Sequence, residues 1–356
     1  MSLPRTPEDA FSGGVAVITG GGSGLGAGLA KLAAALGMTV IIADIAYDRA
    51  QSVASNVIAS GGRAQAVAVD VSKPTDLDKF ANDVFSRYGM VRLLINNAGI
   101  EALGYISEVS AARWEATLNV NVHGVIHGVR AFLPQMLASG EECWIANTAS
   151  LASFGSLPGQ TVYATTKHAV QGFTEGLALE LQIQEANIHV SSIIPSLLRT
   201  DIFDSNSFPN IPGGADRVQS YRARLARMAQ EEGMDAEEAS RIILEQIAKG
   251  GVLGLDTPRG NQGGHGSKGT FSGATGNAGR IPWDGGKQTG GPNVGCSSSR
   301  IRKIDYCWRD IYPRVSALQH KVEFLQKGGK FLTFDLFCPF DRLELSGPFP
   351  HGITRL

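Results

Sequence analysis

Between residues 13 and about 195 the chain alternates short apolar runs with longer amphipathic stretches. The runs are Val15–Thr19, Thr39–Ala43, Ala64–Val69, Leu93–Asn96, Trp144–Asn147 and His189–Ile194. They are largely β-branched or aliphatic and do not alternate strictly with polar residues. That pattern predicts strands buried on both faces of a parallel sheet. The stretches between them, among them Gly26–Leu36, Tyr47–Ser60 and Pro74–Tyr88, predict helices. Repeated strand–helix units predict a Rossmann-type, doubly wound α/β sheet with right-handed crossovers. A ligand of such a sheet sits beyond the carboxyl ends of the strands.

The pattern changes after residue 195. Leu197–Gly214 reads as loop, and Asp216–Glu231 and Asp235–Lys249 read as helices rich in Arg, Glu and Ala. We read residues 13–250 as one catalytic domain, with a flap or lid over about 196–235, preceded by a flexible N-terminus over residues 1–12. Between Asp256 and Arg300, 13 of 45 residues are glycine, against about 7% in average proteins, with almost no aliphatic content and no Gly-X-Y period. Residues 251–300 therefore read as a disordered segment. Residues 301–356 regain aromatics but show no clean period, and their structure and role are left unassigned. The stretch after residue 250 reads either as a lineage-specific extension or as the product of a shifted reading frame.

Composition narrows the function classes. The 356 residues are 43% hydrophobic and 18% charged, enough for a sizeable core. With 32 basic and 33 acidic residues the net charge is −1, which gives no electrostatic argument for nucleic acid or an anionic membrane as partner. No apolar run has the length of a signal peptide or a membrane span. Cys143, Cys296, Cys307 and Cys338 show no C-x-x-C spacing, so neither a zinc site nor a disulfide framework is expected. A cytoplasmic protein with no metal is the expectation.

Chemistry first shows at the end of the first strand. Thr19-Gly20-Gly21-Gly22-Ser23-Gly24-Leu25-Gly26 runs from a strand through glycines into a helix. Glycine there permits tight turns and lets backbone N–H groups approach a pyrophosphate, with the helix N-terminus aimed at the anion. Asp44 ends the second strand, 18 residues after Gly26, where a carboxylate hydrogen-bonds ribose hydroxyls and repels a 2′-phosphate. No Arg or Lys lies in the glycine loop and Ile45 follows Asp44, so NAD is expected over NADP. The plainer reading of Asp44 is a helix N-cap.

Tyr163 and Lys167 stand four residues apart, on one face of a helix. A free tyrosine, with a pKa of about 10, is a poor base at neutral pH. A nearby ammonium favours the phenolate, so Lys167 is expected to lower the tyrosine's pKa. By itself such a pair is a surface coincidence. Here Ser150 lies 13 residues upstream after a strand, and Asn121 lies in an earlier helix.

With those residues in hand, the sequence resembles the short-chain dehydrogenase/reductase family over residues 13 to about 250. Thr19-Gly20-x-x-x-Gly24-x-Gly26 resembles its cofactor motif, Asn96-Asn97-Ala98-Gly99 its NNAG segment, and Asn121, Ser150, Tyr163 and Lys167 its catalytic tetrad. The resemblance implies an oxidoreductase that interconverts a secondary alcohol and a ketone by hydride transfer with NAD(P). Tyr163 would be the general acid/base, and Ser150 would orient the substrate oxygen. Lys167 would bind the nicotinamide ribose, and Asn121 would hold a relay water. Asp70, followed by Val71, matches the acid that contacts adenine. Asn97, Ala98 and Gly99 would line the cofactor, with Asn96 a tie to a neighbouring strand. Pro195 would flank the nicotinamide and Thr200 contact its carboxamide, although Ser196 stands where the family has glycine.

Phe154, Leu157, Phe203 and Phe208 bracket the catalytic segment and the flap, and are read as the wall for a hydrophobic alcohol or ketone. The helices carrying Asn121 and Tyr163 are apolar on more than one face, and the family resemblance implies that they pair in a homodimer or homotetramer. Two alternatives stay open. One is an NADP-linked biosynthetic ketoreductase, against which Asp44 argues. The other is a catalytically silent cofactor-binding scaffold, against which the complete tetrad argues.

Overall fold

A computed structural model describes residues 6–203, 216–249 and 253–254. Its centre is a parallel sheet of seven strands in the order β3-β2-β1-β4-β5-β6-β7. These are β1 Val15–Thr19, β2 Thr39–Asp44, β3 Arg63–Ala68, β4 Leu93–Asn96, β5 Cys143–Thr148, β6 Ile188–Ile194 and the two-residue β7 Leu253–Gly254. The first six coincide, within a residue or two at their ends, with the apolar runs of the sequence. Every position of β1, β4 and β5 is buried, as a sheet covered on both faces requires, whereas the edge strand β3 is only partly buried.

Side-chain alternation along each strand feeds two separate cores. Ala16 and Ile18 of β1, Val40 and Ile42 of β2, and Leu93 and Ile95 of β4 enter one of them. That core is closed by helices α2 (Gly24–Ala35), α3 (Tyr47–Ala59) and α9 (Ala236–Ala248). Val15 and Val17, Ile41 and Ala43, and Leu94 enter the other. Helices α4 (Pro74–Tyr88), α6 (Gly124–Ser139) and α7 (Thr161–Ile183) cover it. A register slip of one residue would exchange the two sets, so pairing is strongly specified.

The N-terminus departs from the sequence expectation. Residues 6–12 are ordered, with a helix α1 at Pro7–Phe11. Thr6 and Asp9 form a capping box with Pro7 at the first turn, a local signature of a helix start. Phe11 is fully buried and meets Trp144 edge-on at 5.3 Å between ring centroids. That aromatic anchor, made across the whole chain, is what holds the segment.

Two features position the site. The chain builds outward from β1 to β3 and then returns to β4, which leaves a crevice at the carboxyl ends of β1 and β4. The flap is a closed excursion, because Met234 N–H donates to the Leu197 carbonyl at 3.0 Å and Arg199 N–H to the Met234 carbonyl at 2.9 Å. Between those pins lie a short 3₁₀ turn at Asp201–Phe203 and helix α8 (Asp216–Glu232). Residues 204–215, with Phe208, lie outside the described residues, as do the segment 251–300 apart from β7 and the tail 301–356. Among the described residues no helix is long and apolar enough to cross a membrane. Among them, too, no group of three His, Cys, Asp or Glu could hold a metal ion.

Candidate active site

The crevice between β1 and β4 is lined by backbone. Gly20 has φ +62°, and a Cβ there would lie 2.7 Å from Ala98 Cα. A Cβ on Gly26 would overlap the Gly20 carbonyl oxygen. Both positions therefore require glycine for close approach and, at Gly20, for conformation. Ser23 is the N-cap of α2 but its side chain makes no capping bond, so the first-turn N–H groups keep their donor capacity toward an anion. These features fit a dinucleotide pyrophosphate.

The walls are tied together by side chains. Thr19 Oγ1 accepts the N–H groups of Asn97 and Ala98 at 3.0 and 3.2 Å. Asn97 Nδ2 donates to the Thr19 and Gly20 carbonyls, each at 3.1 Å. Asn96 Nδ2 donates to Asn147 Oδ1 at 2.9 Å, the expected tie between strands. The Asn97 side chain is thus also a brace, where the sequence expectation made it cofactor lining; its backbone, with Ala98 and Gly99, forms the wall.

At the adenosine end, Asp44 Oδ2 accepts Gly22 N–H at 3.0 Å and Oδ1 accepts Ala46 N–H at 2.9 Å. The N-cap of α3 is Ala46 and not Asp44, which removes the plainer reading of this carboxylate. Ile45 beside it is 67% exposed. A Cβ on Gly22 would stand 2.9 Å from Arg49 Cβ, so Arg49 neighbours the same place. Sequence reasoning missed it because it looked for basic residues only in the glycine loop; the signal was a helix opening straight after Asp44. Asp70 accepts Ser72 N–H at 3.1 Å and Ser72 Oγ at 2.6 Å and pairs with Lys73 at 3.3 Å. Burial raises its pKa, but those bonds and Lys73 outweigh it and hold the carboxyl below its ordinary range. Val71 is buried and packs beneath Gly124 of α6.

The four tetrad residues come from three parts of the fold and converge. Asn121 is fully buried on a π-helical turn, Asn119–His123, that joins α5 (Ala111–Leu118) to α6. Its Oδ1 accepts Ile100 N–H at 2.8 Å, and its Nδ2 donates to the Ile100 carbonyl at 2.9 Å and to Thr166 Oγ1 at 3.1 Å. Such a bulge inside a helix re-aims a side chain, and bulges of this kind recur at functional sites. Gly99 faces both Asn121 and Lys167, since a Cβ on it would lie 3.5 Å from Asn121 Oδ1 and 3.6 Å from Lys167 Nζ. Ser150 follows β5 and its Oγ accepts Ala152 N–H at 3.1 Å. The Ser150 hydroxyl also acts on the Tyr163 phenol. Lys167, one helical turn on, is buried; its Nζ donates to the Thr148 carbonyl at 2.7 Å and lies 5.5 Å from the Tyr163 ring centroid.

The charge balance corrects one expectation. Burial, and then the Glu101 carboxyl, push the Tyr163 phenol above its ordinary value, and the Ser150 hydrogen bond pulls it partly back. Burial also brings Lys167 down to about 8 against the attraction of Glu101. The expected lowering of the tyrosine by Lys167 is not what dominates, because both groups are withdrawn from water and desolvation penalises both charged forms.

Glu101 itself was missed. It follows the NNAG segment and Ile100, is 7% exposed, and burial raises its pKa to about 8. Its one sequence signal was an acidic residue just past the NNAG segment that follows β4. At the same end, Phe203 packs with Leu103, Leu225 and Tyr221 in a small apolar cluster under α8. Phe154 and Leu157, expected in the same wall, are 60% and 55% exposed and stand outside that cluster. The Pro195 carbonyl accepts Leu151 N–H at 3.2 Å, which sets it beside Ser150. Ser196 Oγ is buried with no hydrogen-bond partner among the described residues, a donor left over next to Pro195. Thr200 stands over Gly24, at the pyrophosphate end of the crevice, whereas the resemblance implied a carboxamide contact.

Comparison with known proteins agrees with this geometry. Residues 14–209 match the family described as short chain dehydrogenase. A cyclohexanol dehydrogenase of Acinetobacter sp. (strain SE19) is 34% identical over 203 residues, covering 56% of this chain and 79% of that protein. A short-chain dehydrogenase/reductase of Burkholderia phymatum, solved in complex with NAD, superposes with a TM-score of 0.65 at 34% identity, covering 67% of this chain and 87% of that one. A short-chain dehydrogenase of Burkholderia cenocepacia J2315, solved in complex with NADP, superposes with a TM-score of 0.57 at 29% identity, covering 69% and 98%.

Proposed function

The chain belongs to the short-chain dehydrogenase family, nicotinamide-dependent oxidoreductases of CH–OH groups, and on that premise we propose that it interconverts a hydrophobic secondary alcohol and its ketone with NAD as preferred cofactor. One observation carries the reading: the buried Tyr163 phenol, with the Ser150 hydroxyl acting on it and Lys167 one turn away, beside a glycine cradle.

Bound NAD⁺ supplies a two-electron acceptor for the hydride on the carbinol carbon. Gly20, Gly22, Ser23, Gly24, Leu25 and Gly26 would hold its pyrophosphate. Asp44 with Ile45, and Asp70 with Val71, would hold the adenosine, and Ala98, Gly99, Pro195 and Thr200 the remainder. Ser150 and Tyr163 hydrogen-bond the substrate oxygen and stabilise alkoxide character as it develops. Tyr163 takes the hydroxyl proton in oxidation and returns one in reduction. Lys167 binds the ribose and supplies the positive charge that offsets the burial of the phenolate. Asn121 fixes the Ile100 backbone and holds the relay water between Lys167 and solvent. Positioning makes the transfer effectively intramolecular.

Tyr163→Phe tests this. Turnover on a panel of secondary alcohols falls about 10³-fold while NADH binding, followed by fluorescence, stays within a few-fold. Wild-type protein that binds NADH and turns over no alcohol would support the silent scaffold. Arg49 gives the NADP-linked alternative a specific basis, because its Cβ adjoins Gly22 and Asp44, and from there a guanidinium can reach a 2′-phosphate. In this reading the protein works in the cytoplasm as a homodimer or homotetramer. Leu137 of α6 and Leu179 and Ile183 of α7, exposed by 37%, 51% and 82%, supply apolar surface for pairing, which light scattering checks.

A further inference from the structure

The five residues Ile100–Gly104 form an arch across the site. One end is held by the Asn121 carboxamide, which bonds both backbone groups of Ile100. At the other end Gly104 N–H donates to the Gly159 carbonyl at 2.9 Å, four residues before Tyr163. Above the arch, Leu103 packs on Leu225 of the lid helix α8. Below it lie Tyr163 and Lys167. The space between the pair and the lid is where a substrate must extend once its carbinol is at Tyr163.

Glu101 is the charged residue of this arch. Its carboxyl accepts Ala102 N–H at 3.1 Å. Arg113 Nη2 donates to its backbone carbonyl, a contact that any residue at this position would offer. The carboxyl acts electrostatically on Lys167 and Tyr163 and on Tyr221 of the lid, and Arg222 and Arg113 act on it in turn. Buried on the arch, it lies within electrostatic reach of both the catalytic pair and the lid. Neither the proton transfer nor the cofactor cradle uses it. Burying a carboxyl is costly, and this one also opposes formation of the phenolate on which the reaction depends. An apolar residue would hold the arch without either penalty. A group kept at such cost beside the proton-transfer tyrosine has a ligand to meet.

We propose that Glu101 is a specificity-determining residue. Its carboxyl hydrogen-bonds a second hydroxyl next to the reacting carbinol, so that the preferred substrates are vicinal diols and α-hydroxy ketones on an apolar frame. Leu103, Phe203 and Leu225 meet the frame. The proposal rests on the dehydrogenase reading and names the substrate class of the same site. A site built to pair a hydroxyl rejects the analogue that lacks it, because its buried polar group is then left unmatched.

The test compares cis-1,2-cyclohexanediol with cyclohexanol at saturating NAD⁺, using the full chain and its Glu101→Leu and Glu101→Gln variants, with NADH binding titrated in parallel. Wild-type protein is expected to favour the diol in kcat/KM. Glu101→Leu lowers the diol-to-alcohol ratio at least about tenfold, and Glu101→Gln, which keeps hydrogen-bonding capacity, lowers it about threefold. A ratio in Glu101→Leu within about twofold of wild type, with NADH still bound, overturns the proposal and leaves the dehydrogenase reading standing. If Glu101→Leu fails to bind NADH, the ratio in the near-isosteric Glu101→Gln decides, and an unchanged ratio there overturns the proposal. A wild type that prefers cyclohexanol overturns it without any variant. A wild type that binds NADH and oxidises neither compound overturns both readings.

Discussion

The two ends of the crevice are built on different principles. The cofactor end is backbone and small residues. Gly20, Gly26, Thr19, Asn97 and Ala98 brace one another within one strand junction, and a methyl group is too much at several positions. The substrate end is assembled from side chains far apart in the chain: Glu101 and Leu103 from the arch, Phe203 from the flap, and Tyr221 and Leu225 from α8. Among the described residues, the buried Glu101 carboxyl there accepts the Ala102 N–H. A chemistry shared by many substrates needs the first kind of construction. Discrimination among substrates needs the second, because it depends on particular side chains and their spacing.

The largest effect expected from breaking this contrast is at Gly26. Gly26→Ala forces a methyl group into the Gly20 carbonyl, and overpacking of this kind costs roughly 1–3 kcal/mol. NADH affinity should fall by up to about 100-fold in a fluorescence titration. Unaltered affinity would show that the turn yields without cost.

Next is the adenosine end, where Asp44 is proposed to set the preference for NAD. Asp44→Ala is expected to raise the ratio of NADPH to NADH affinity about tenfold or more, by removing a like charge from the 2′-phosphate. Arg49→Ala should move the same ratio the other way. A ratio indifferent to Asp44 would return that carboxylate to its backbone bonds alone, and with it the case for NAD.

Phe203→Ala sharpens the comparison from the substrate side. It should raise KM for an apolar alcohol about three- to tenfold while NADH affinity stays within twofold, because Phe203 packs with Leu103, Leu225 and Tyr221 under α8. Kinetics that do not change would remove Phe203 from the pocket.

The smallest effect is on stability, at Glu101. Its folded pKa of about 8 lies above its ordinary 4.5, so the protonated form contributes stability that is present at low pH and lost as pH rises through about 8. Glu101→Gln cannot ionise and escapes that loss. The Tm of the variant minus that of wild type should therefore increase by a few degrees between pH 5 and pH 8.5. Lys167, lowered to about 8, runs oppositely, its contribution being lost as pH falls, and it is present in both proteins. A Tm difference that is flat or shrinks over this range would mean that Glu101 is not a raised acid.

Much of this molecule could be read from the chain. The strands of a doubly wound sheet are continuous apolar runs, so their positions were legible to within a residue or two. The glycine cradle was legible for a related reason, since a strand running into glycines and then a helix has few other physical explanations. The tetrad was legible only as a set, each member being commonplace alone. The ordered N-terminus was half legible: Thr6-Pro7-Glu8-Asp9 spells a capping box, but the contact of Phe11 with Trp144 that holds it cannot be found by spacing.

What the chain determined by itself is the local chemistry of each segment: which residues pair as strands, where an anion can meet a helix N-terminus, and which tyrosine has a lysine one turn away. Only the tertiary structure decided which of these groups share a dielectric. It withdrew Tyr163 and Lys167 from water together, set Arg49 beside Asp44, spent the Asn97 side chain as a brace, and buried Glu101 within electrostatic reach of the catalytic pair and the lid. Burial and long-range proximity are properties of the packed whole, and a charge has no fixed energy until that packing assigns it one.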